Sequence, residues 1–283
     1  MTPSARYLLA MILLSGFQTP PVLGAEPKEN GPKEALRLQL RSRVETFKGS
    51  AVWDEVSIAR NFPNRETAII ICDMWDKHWC PSASKRCDAL AQKMATVIAA
   101  AQAKGIAIIH APSECMDFYK DSPQRRKIFE IPRVSPTAAL ALSDPPLPVD
   151  SSDGGCDDDP PVKSYKAWTR QHPAIPIADN DVISDNGNEV YSFLRQRGIT
   201  NLIIMGVHTN LCVLGRSFAI RQMTRWGIRC VLVRDLTDAM YNPKKPPFVS
   251  HDAGTELVIG HIEKYWCPSV LSRDLMRSDQ LRP

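Results

Sequence analysis

Short apolar runs and helical patterns alternate along most of the chain. The segment Thr67–Asp73 is apolar up to its final carboxylate, and Ile106–His110 is a second short apolar run. Such runs are typical of strands buried on both faces, as in a parallel sheet. Between them Lys85–Lys104 has a helical pattern, which Gly105 ends. Together these segments predict a strand–helix–strand unit with a right-handed crossover.

The same alternation recurs in the C-terminal half. It predicts helices over Gly187–Arg197, Cys212–Trp226 and Asp252–Tyr265, and strands over Leu202–Gly206 and Arg229–Asp235. Strands that alternate with helices of 10 to 15 residues are typical of layered α/β proteins. The chain is therefore predicted to form a three-layer α/β/α fold around a mainly parallel sheet.

The N-terminus has the pattern of an export signal. Arg6 precedes the apolar run Tyr7–Phe17, and small residues end at Ala25. A charged start, a short apolar run and a small-residue cleavage site are typical of signal peptides. We predict a signal peptide over 1–25 and a secreted or periplasmic protein, with an N-terminal membrane anchor as the alternative.

The remaining chain divides into an extension and one domain. Residues 26–60 are predicted to be an N-terminal extension, whose polar first half suggests a tail or surface helix. The domain is predicted over 61–283, with an inserted, turn-rich loop over about 111–173. A loop of that length inside a compact domain is usually functional.

Composition narrows the function classes. The hydrophobic share of 43% and the charged share of 23% are those of a globular protein. Lys plus Arg number 35 against 31 Asp plus Glu, a net charge of +4 without a strong basic stripe. A dedicated nucleic-acid binder is therefore disfavoured. No segment after the signal is long and apolar enough to be transmembrane, so no membrane partner is expected after cleavage.

The eight cysteines fit an exported protein. Cys72 and Cys230 lie inside apolar runs and are predicted to be buried thiols. Five others are disulfide candidates because they lie in polar or turn-like surroundings: Cys80, Cys87, Cys115, Cys156 and Cys267. Their connectivity stays open, because one sequence does not determine it.

Candidate chemistry lies where the predicted strands end. Ligands bind outside the carboxyl ends of strands in open α/β sheets, and these ends carry Asp73, His110 and the segment Gly206–Cys212. A cysteine at a helix N-terminus has its thiolate stabilised by free N–H groups, and Asp73 is placed to accept its proton. The alternatives are a buried structural thiol at Cys212 and a capping carboxylate at Asp73.

Two segments carry a family resemblance. Ile70–Asp76 resembles the first strand of the isochorismatase-like cysteine hydrolases, and Gly198–Val213 resembles their nucleophile segment. The resemblance covers roughly Thr67 to the C-terminus. It implies a six-stranded parallel sheet, a Cys–Asp–Lys site, a non-proline cis peptide before His208, and an oxyanion hole formed by the N–H groups of His208 and Cys212.

The family lysine is absent from its usual position. Counting back from Cys212 by the family spacing reaches Asp179 rather than a lysine. We therefore predict that Val162–His172 folds over the site and brings Lys166, or else Lys163 or Arg170, close to Cys212. The alternative is that these three are solvated loop charges.

Nothing in the sequence favours a metal or another cofactor. The Asp-x-His group of the family's nicotinamidases is missing after His110, and a lone His78 is more often structural. The triplet Asp157–Asp159 lacks the spacing of a calcium loop, so a solvated acidic loop is preferred. Pocket lining and core packing are equally favoured for five aromatic residues: Trp75, Trp79, Phe118, Tyr119 and Trp168.

The resemblance implies an amidohydrolase. The expected protein hydrolyses a non-peptide C–N bond of a small molecule through a thioester on Cys212, with Asp73 as the base. Two alternatives remain open: an isochorismatase-type vinyl-ether hydrolase, and an inactive binding protein with the same fold. Assembly into a homo-oligomer is also left open.

Overall fold

The computed structural model describes residues 34–160 and 162–277. The predicted signal peptide lies outside this range. Eight strands are present: β1 (Ala35–Glu45), β2 (Trp53–Pro63), β3 (Thr67–Cys72), β4 (Ala107–Ala111), β5 (Val182–Ile183), β6 (Asn201–Val207), β7 (Arg229–Asp238) and β8 (Ser269–Val270). Eight α-helices accompany them: α1 (Pro81–Ala103), α2 (Met116–Tyr119), α3 (Pro123–Glu130), α4 (Gly187–Gln196), α5 (Cys212–Gly215), α6 (Ile220–Arg225), α7 (His251–Tyr265) and α8 (Ser272–Met276).

All eight strands form one sheet, in the order β2-β1-β8-β7-β6-β3-β4-β5. The six strands from β8 to β5 run parallel, whereas β1 and β2 are antiparallel to their neighbours. The mainly parallel α/β fold and its six-stranded core are thus confirmed. The two additional strands form a hairpin at one edge.

Apolar residues on both faces of the sheet explain the three layers. Ile69 and Ile71 of β3 pack with α1 on one face, and Ile70 packs with α4, α6 and α7 on the other. All three isoleucines are fully buried. Burial of each such side chain contributes about 1.5–3 kcal/mol. The central strands are therefore apolar throughout instead of alternating.

The prediction of a tail or surface helix before residue 50 was wrong for the described part. Ala35–Glu45 is a strand that pairs along its whole length with β2. Leu36 and Leu38 are buried against the same core as α1. Their spacing of two residues places both on one face of a strand, which a helix would not do.

The helix predicted over Cys212–Trp226 is broken into α5 and α6. Arg216, which follows α5, has an extended backbone. The next residue, Ser217, accepts a hydrogen bond of 3.0 Å from the N–H of Gly187 at the start of α4. The helix is therefore interrupted for about one turn. The interruption lets Ser217 contact α4 and changes the direction of the chain at Arg216.

One disulfide joins the predicted insertion to α1. Cys80, which caps α1, is bonded to Cys156. Cys72 and Cys230 are buried thiols, as predicted. The other disulfide candidates, Cys87, Cys115 and Cys267, are free and buried among apolar side chains.

Candidate active site

The segment after β6 places Cys212 at the first position of α5. The Val207–His208 peptide is cis, as the family resemblance implies. The carbonyl of His208 accepts hydrogen bonds from the N–H groups of Leu211 (3.0 Å) and Val213 (3.1 Å). These bonds close a tight turn. The turn directs the N–H of His208 at the sulfur of Cys212.

Asp73 lies at the end of β3, next to Cys212. Its side chain is fully buried and its φ is +48°. A left-handed backbone costs a non-glycine residue on the order of 1 kcal/mol and is found preferentially at functional sites. The N–H of Ser113 donates to Oδ1 at 2.7 Å, and Nε of Arg216 donates to Oδ2 at 2.9 Å.

The thiol of Cys212 lies next to the Asp73 carboxylate. Burial, followed by the negative charge of Asp73, raises the pKa of Cys212 to about 12, although Arg216 and the N–H of His208 act in the opposite direction. Burial also raises the pKa of Asp73, against the charge of Arg216. At neutral pH the resting thiol of Cys212 is therefore neutral.

Arg216 is the cation of the site, and the sequence analysis did not identify it. Burial lowers its pKa, but the charges of Asp73 and Cys212 outweigh burial and raise the pKa overall. The guanidinium is partly exposed, and its outer nitrogen lies 3.6 Å from Glu114. The i+4 spacing from Cys212 would indicate this residue only in a continuous helix, and α5 ends before it, at Gly215.

The predicted replacement for the family lysine was therefore the wrong residue. Lys166 Nζ donates to the backbone carbonyl of Glu114 at 2.8 Å, and the guanidinium of Arg170 lies 5.6 Å from the ring of Phe118. Lys163 is exposed at the surface. The charge comes from the residue that follows α5, because this short helix begins at Cys212 and its end places Arg216 beside Asp73.

Segment 162–172 lies against the loop that follows Asp73, because the N–H of His172 donates to the carbonyl of Met74 at 2.7 Å. The rings of Trp75 and Trp168 stack with centroids 4.1 Å apart. Both belong to an apolar cluster with Tyr119 and Cys115, against which Cys212 packs. Three of the five aromatic candidates, Trp75, Tyr119 and Trp168, thus contribute to this cluster. Two do not: Trp79 packs near the disulfide, and Phe118 is exposed.

Two histidines, His78 and His208, lie next to this aromatic cluster. The ring of His78 lies 6.1 Å from Trp168 and 4.8 Å from the ring of His208. Burial, and for His208 also the neighbouring His78, lowers the pKa of His208 to about 3, and burial lowers that of His78 to about 4. Both rings are therefore neutral at physiological pH.

A network of charged residues contacts the segment that follows β6. The carboxylate of Asp238 accepts from Arg86 at 2.9 Å and contacts His251 at 2.8 Å, and its backbone carbonyl accepts from the N–H of Thr209. Arg86 also binds Asp157 through two hydrogen bonds. The disulfide-linked loop is thereby connected to the end of β7.

Asp157 and Asp158 of the acidic triplet are partly buried and pair with protein groups, whereas Asp159 is exposed to solvent. Asp157 contacts Arg86, Asp158 accepts from Ser82, and Asp159 pairs with Lys244. Within 34–160 and 162–277, one cluster has metal-ligand geometry: Cys80, Cys156 and Asp158. Its two cysteines form the disulfide, so this cluster does not fit a metal ion.

The contacts of His110 indicate a structural role. Its Nδ1 lies 2.9 Å from Oε1 of Gln171, and its Nε2 lies 3.0 Å from Oδ2 of Asp181. Both partners belong to the connection that leads into β5. Of the three strand-end candidates, the structure brings Asp73 and Cys212 together, while His110 fastens this connection to β4.

Comparison with known proteins identifies the fold. Neither the protein-family models nor the curated proteins searched gave a match. Among solved structures, the chain is similar to a cysteine hydrolase from Pseudomonas syringae pv. phaseolicola 1448A, with a TM-score of 0.50 and 18% identity over 76% of this chain and 92% of that one.

Two further structures are less similar. An isochorismatase from Pseudomonas putida KT2440 has a TM-score of 0.45 and 15% identity, with 74% of this chain and 89% of that chain covered. A ribonuclease from Caenorhabditis elegans has a TM-score of 0.46 and 13% identity, with 75% and 80% covered. The comparison with the cysteine hydrolase confirms that the chain has the isochorismatase-like fold.

Proposed function

We propose that this protein hydrolyses a non-peptide C–N bond of a small molecule through a thioester on Cys212. One observation carries the proposal: Cys212 lies beside the buried Asp73 carboxylate, which Arg216 and the N–H of Ser113 hold in place. A nucleophile in contact with an oriented base is the arrangement that covalent catalysis requires.

The proposed reaction starts from the neutral thiol. Asp73 takes the proton as the sulfur attacks the amide carbonyl, so no free thiolate accumulates. The N–H groups of His208 and Cys212 bind the oxyanion. Protonated Asp73 then gives its proton to the departing amine. In the second half, Asp73 deprotonates a water molecule that attacks the thioester and releases the acid and the thiol.

The surroundings of the site favour a small substrate. Asp73 is fully buried, and Trp168 and Cys212 pack against the same apolar cluster. A polypeptide would have to displace these aromatic side chains in order to reach the sulfur of Cys212. An aromatic wall with a few convergent polar groups is the usual lining of a small-molecule site.

A panel of small carboxamides, ureas and N-carbamoyl amines tests the proposal by release of amine. We expect Cys212→Ala to abolish turnover, because the nucleophile is lost. Asp73→Asn should lower the rate by about 10²–10⁴, the usual contribution of a general base. Cys230→Ala, which removes a buried thiol of β7, is the matched control. Intact mass after rapid acid quenching should show the acyl group on the wild-type protein.

Other outcomes select the alternatives. Turnover that survives Cys212→Ala within a factor of about two excludes the thioester. Cleavage of a vinyl ether by that variant would favour isochorismatase-type chemistry. Reversible binding of panel members without turnover or acylation would favour a binding protein that has kept the fold.

A further inference from the structure

Strand β2 leaves one long edge of the sheet open. It is the terminal strand in the sheet order, and all eleven of its residues pair with β1 on the other side. The outward N–H and C=O groups of an edge strand are a template for another strand. Natural edge strands are usually short, twisted or covered, and β2 is a regular strand with mostly exposed side chains.

The side chains of β2 divide into two faces. Residues at even positions share the face on which Leu36 and Leu38 of β1 enter the core. Phe62 is buried there, whereas Ile58 is half-exposed and Val56 is partly exposed. Two charged residues, Asp54 and Arg60, flank this apolar pair on the same face.

The sequence of β2 is complementary to itself in one register. A two-fold axis through Ser57, perpendicular to the sheet, keeps corresponding faces of two copies on the same side. Asp54 then lies opposite Arg60 of the second copy, and Val56 lies opposite Ile58. Opposite charges and β-branched side chains are both favourable as cross-strand pairs.

The neighbouring registers lack this match. With the axis at Val56, Asp54 lies opposite Ile58. With the axis at Ile58, Asp54 lies opposite Phe62 and Val56 opposite Arg60. Only the register centred on Ser57 pairs charge with opposite charge and apolar with apolar.

The side chains of Asp54 and Arg60 are also available to form ion pairs with a second copy. Arg60 is exposed and has no ion pair among residues 34–160 and 162–277. Asp54 accepts a single hydrogen bond of 3.3 Å from the hydroxyl of Thr46 at the tip of the hairpin. Glu55, on the opposite face, already pairs with Arg41 and Arg43.

We propose that the protein forms a two-fold symmetric dimer in which β2 pairs antiparallel with β2 of a second copy, in the register centred on Ser57. The two eight-stranded sheets then become one continuous sheet. The apolar pair Val56 and Ile58 is covered by the same pair from the partner copy. The proposal concerns the hairpin and does not depend on the chemistry proposed for Cys212.

A charge-swap experiment tests this register. Asp54→Lys and Arg60→Glu each place like charges opposite one another at two symmetric positions, and we expect the dissociation constant to rise about tenfold or more. The double variant exchanges the charges and should restore dimerisation. Lys93→Glu, an exposed charge reversal on α1, is the matched control. Sedimentation velocity over a range of concentrations measures the dimer, and circular dichroism confirms that each variant is folded.

Three results would overturn the proposal. One is a wild-type chain that stays monomeric at the highest concentration reached. Another is a dimer that both single variants leave unchanged, since its interface would then lie elsewhere. The third is a double variant that stays as weak as the single ones, which would show that Asp54 and Arg60 do not face each other.

Discussion

Arg216 differs chemically from the lysine that the family resemblance implies at this site. A guanidinium stays protonated under all conditions in which a protein is folded, whereas a buried lysine shifts its pKa readily. Arg216 therefore supplies a fixed charge and takes no part in proton transfer. Asp73 is left as the only proton carrier within contact of the Cys212 thiol in the described structure.

The fixed charge predicts a measurable change in the pH profile. Arg216 opposes the effect of burial on the pKa of Asp73. In Arg216→Gln that pKa should rise further, and the acid limb of kcat/KM should move to higher pH, because Asp73 acts only when ionised. Arg216→Lys keeps the charge and should move the limb less. An acid limb that stays in place in Arg216→Gln would contradict this role.

His208 predicts how stability depends on pH. Its pKa is about 3 in the folded protein, against about 6.5 for an unperturbed histidine. Between these values the unfolded chain binds a proton that the folded chain excludes, so the free energy of unfolding falls as the pH drops below 6.5 and levels off near 3. From pH 7 to 5 the loss from this residue is about 2 kcal/mol.

Urea unfolding of wild type and His208→Gln at pH 7 and pH 5 measures this contribution. The wild type should lose about 2 kcal/mol more than the variant between the two pH values, since the other titrating groups are shared. Equal losses would show that the His208 ring accepts a proton in the folded state.

At the scale of elements, the sequence reveals buried strands better than it reveals exposed or interrupted ones. The strand Thr67–Cys72 was predictable because burial on both faces leaves only apolar residues. Strand β1 was missed although Leu36, Leu38 and Leu40 alternate with polar residues, the period of a half-buried strand. Its high polar content obscured that alternation.

Prediction of the candidate site from the sequence was limited in the same way. Asp73 was predictable because it directly follows an apolar strand, and Cys212 because it begins the helix after another one. Arg216 was not, because its orientation depends on the break between α5 and α6. That break is made by a contact between Ser217 and Gly187, which are distant in sequence. Interactions of this kind override a continuous helical pattern.

The disulfide predicts a stability difference at this scale. Cys80 and Cys156 are 76 residues apart, and closing a loop of that size restricts the unfolded chain. Reduction should therefore lower the free energy of unfolding by about 2–4 kcal/mol. Denaturant unfolding with and without dithiothreitol measures it. The double variant Cys80→Ser, Cys156→Ser should be insensitive to the reductant, and an equal response of both proteins would assign the effect to other thiols.

At the scale of the whole molecule, the disulfide also relates to where the protein works. Disulfides persist in oxidising compartments and are rare in the cytosol. The predicted signal over 1–25 and the Cys80–Cys156 bond both agree with export, which remains a proposal. Among the described residues, no helix has the length and apolar character that crossing a membrane would require.

Export predicts the mass of the mature protein. Expressed from its full sequence in a bacterium, the chain should be recovered from the periplasm or the medium. Intact mass should show that it begins at Glu26 and has lost two hydrogens to the disulfide, because translocation precedes both cleavage and oxidation. Ala25→Tyr, which places a bulky residue at the cleavage site, should retard processing and leave uncleaved chain. Mature-length protein with a reduced Cys80–Cys156 pair would contradict the oxidising destination. A full-length chain in the membrane fraction, unaffected by Ala25→Tyr, would instead support the N-terminal anchor.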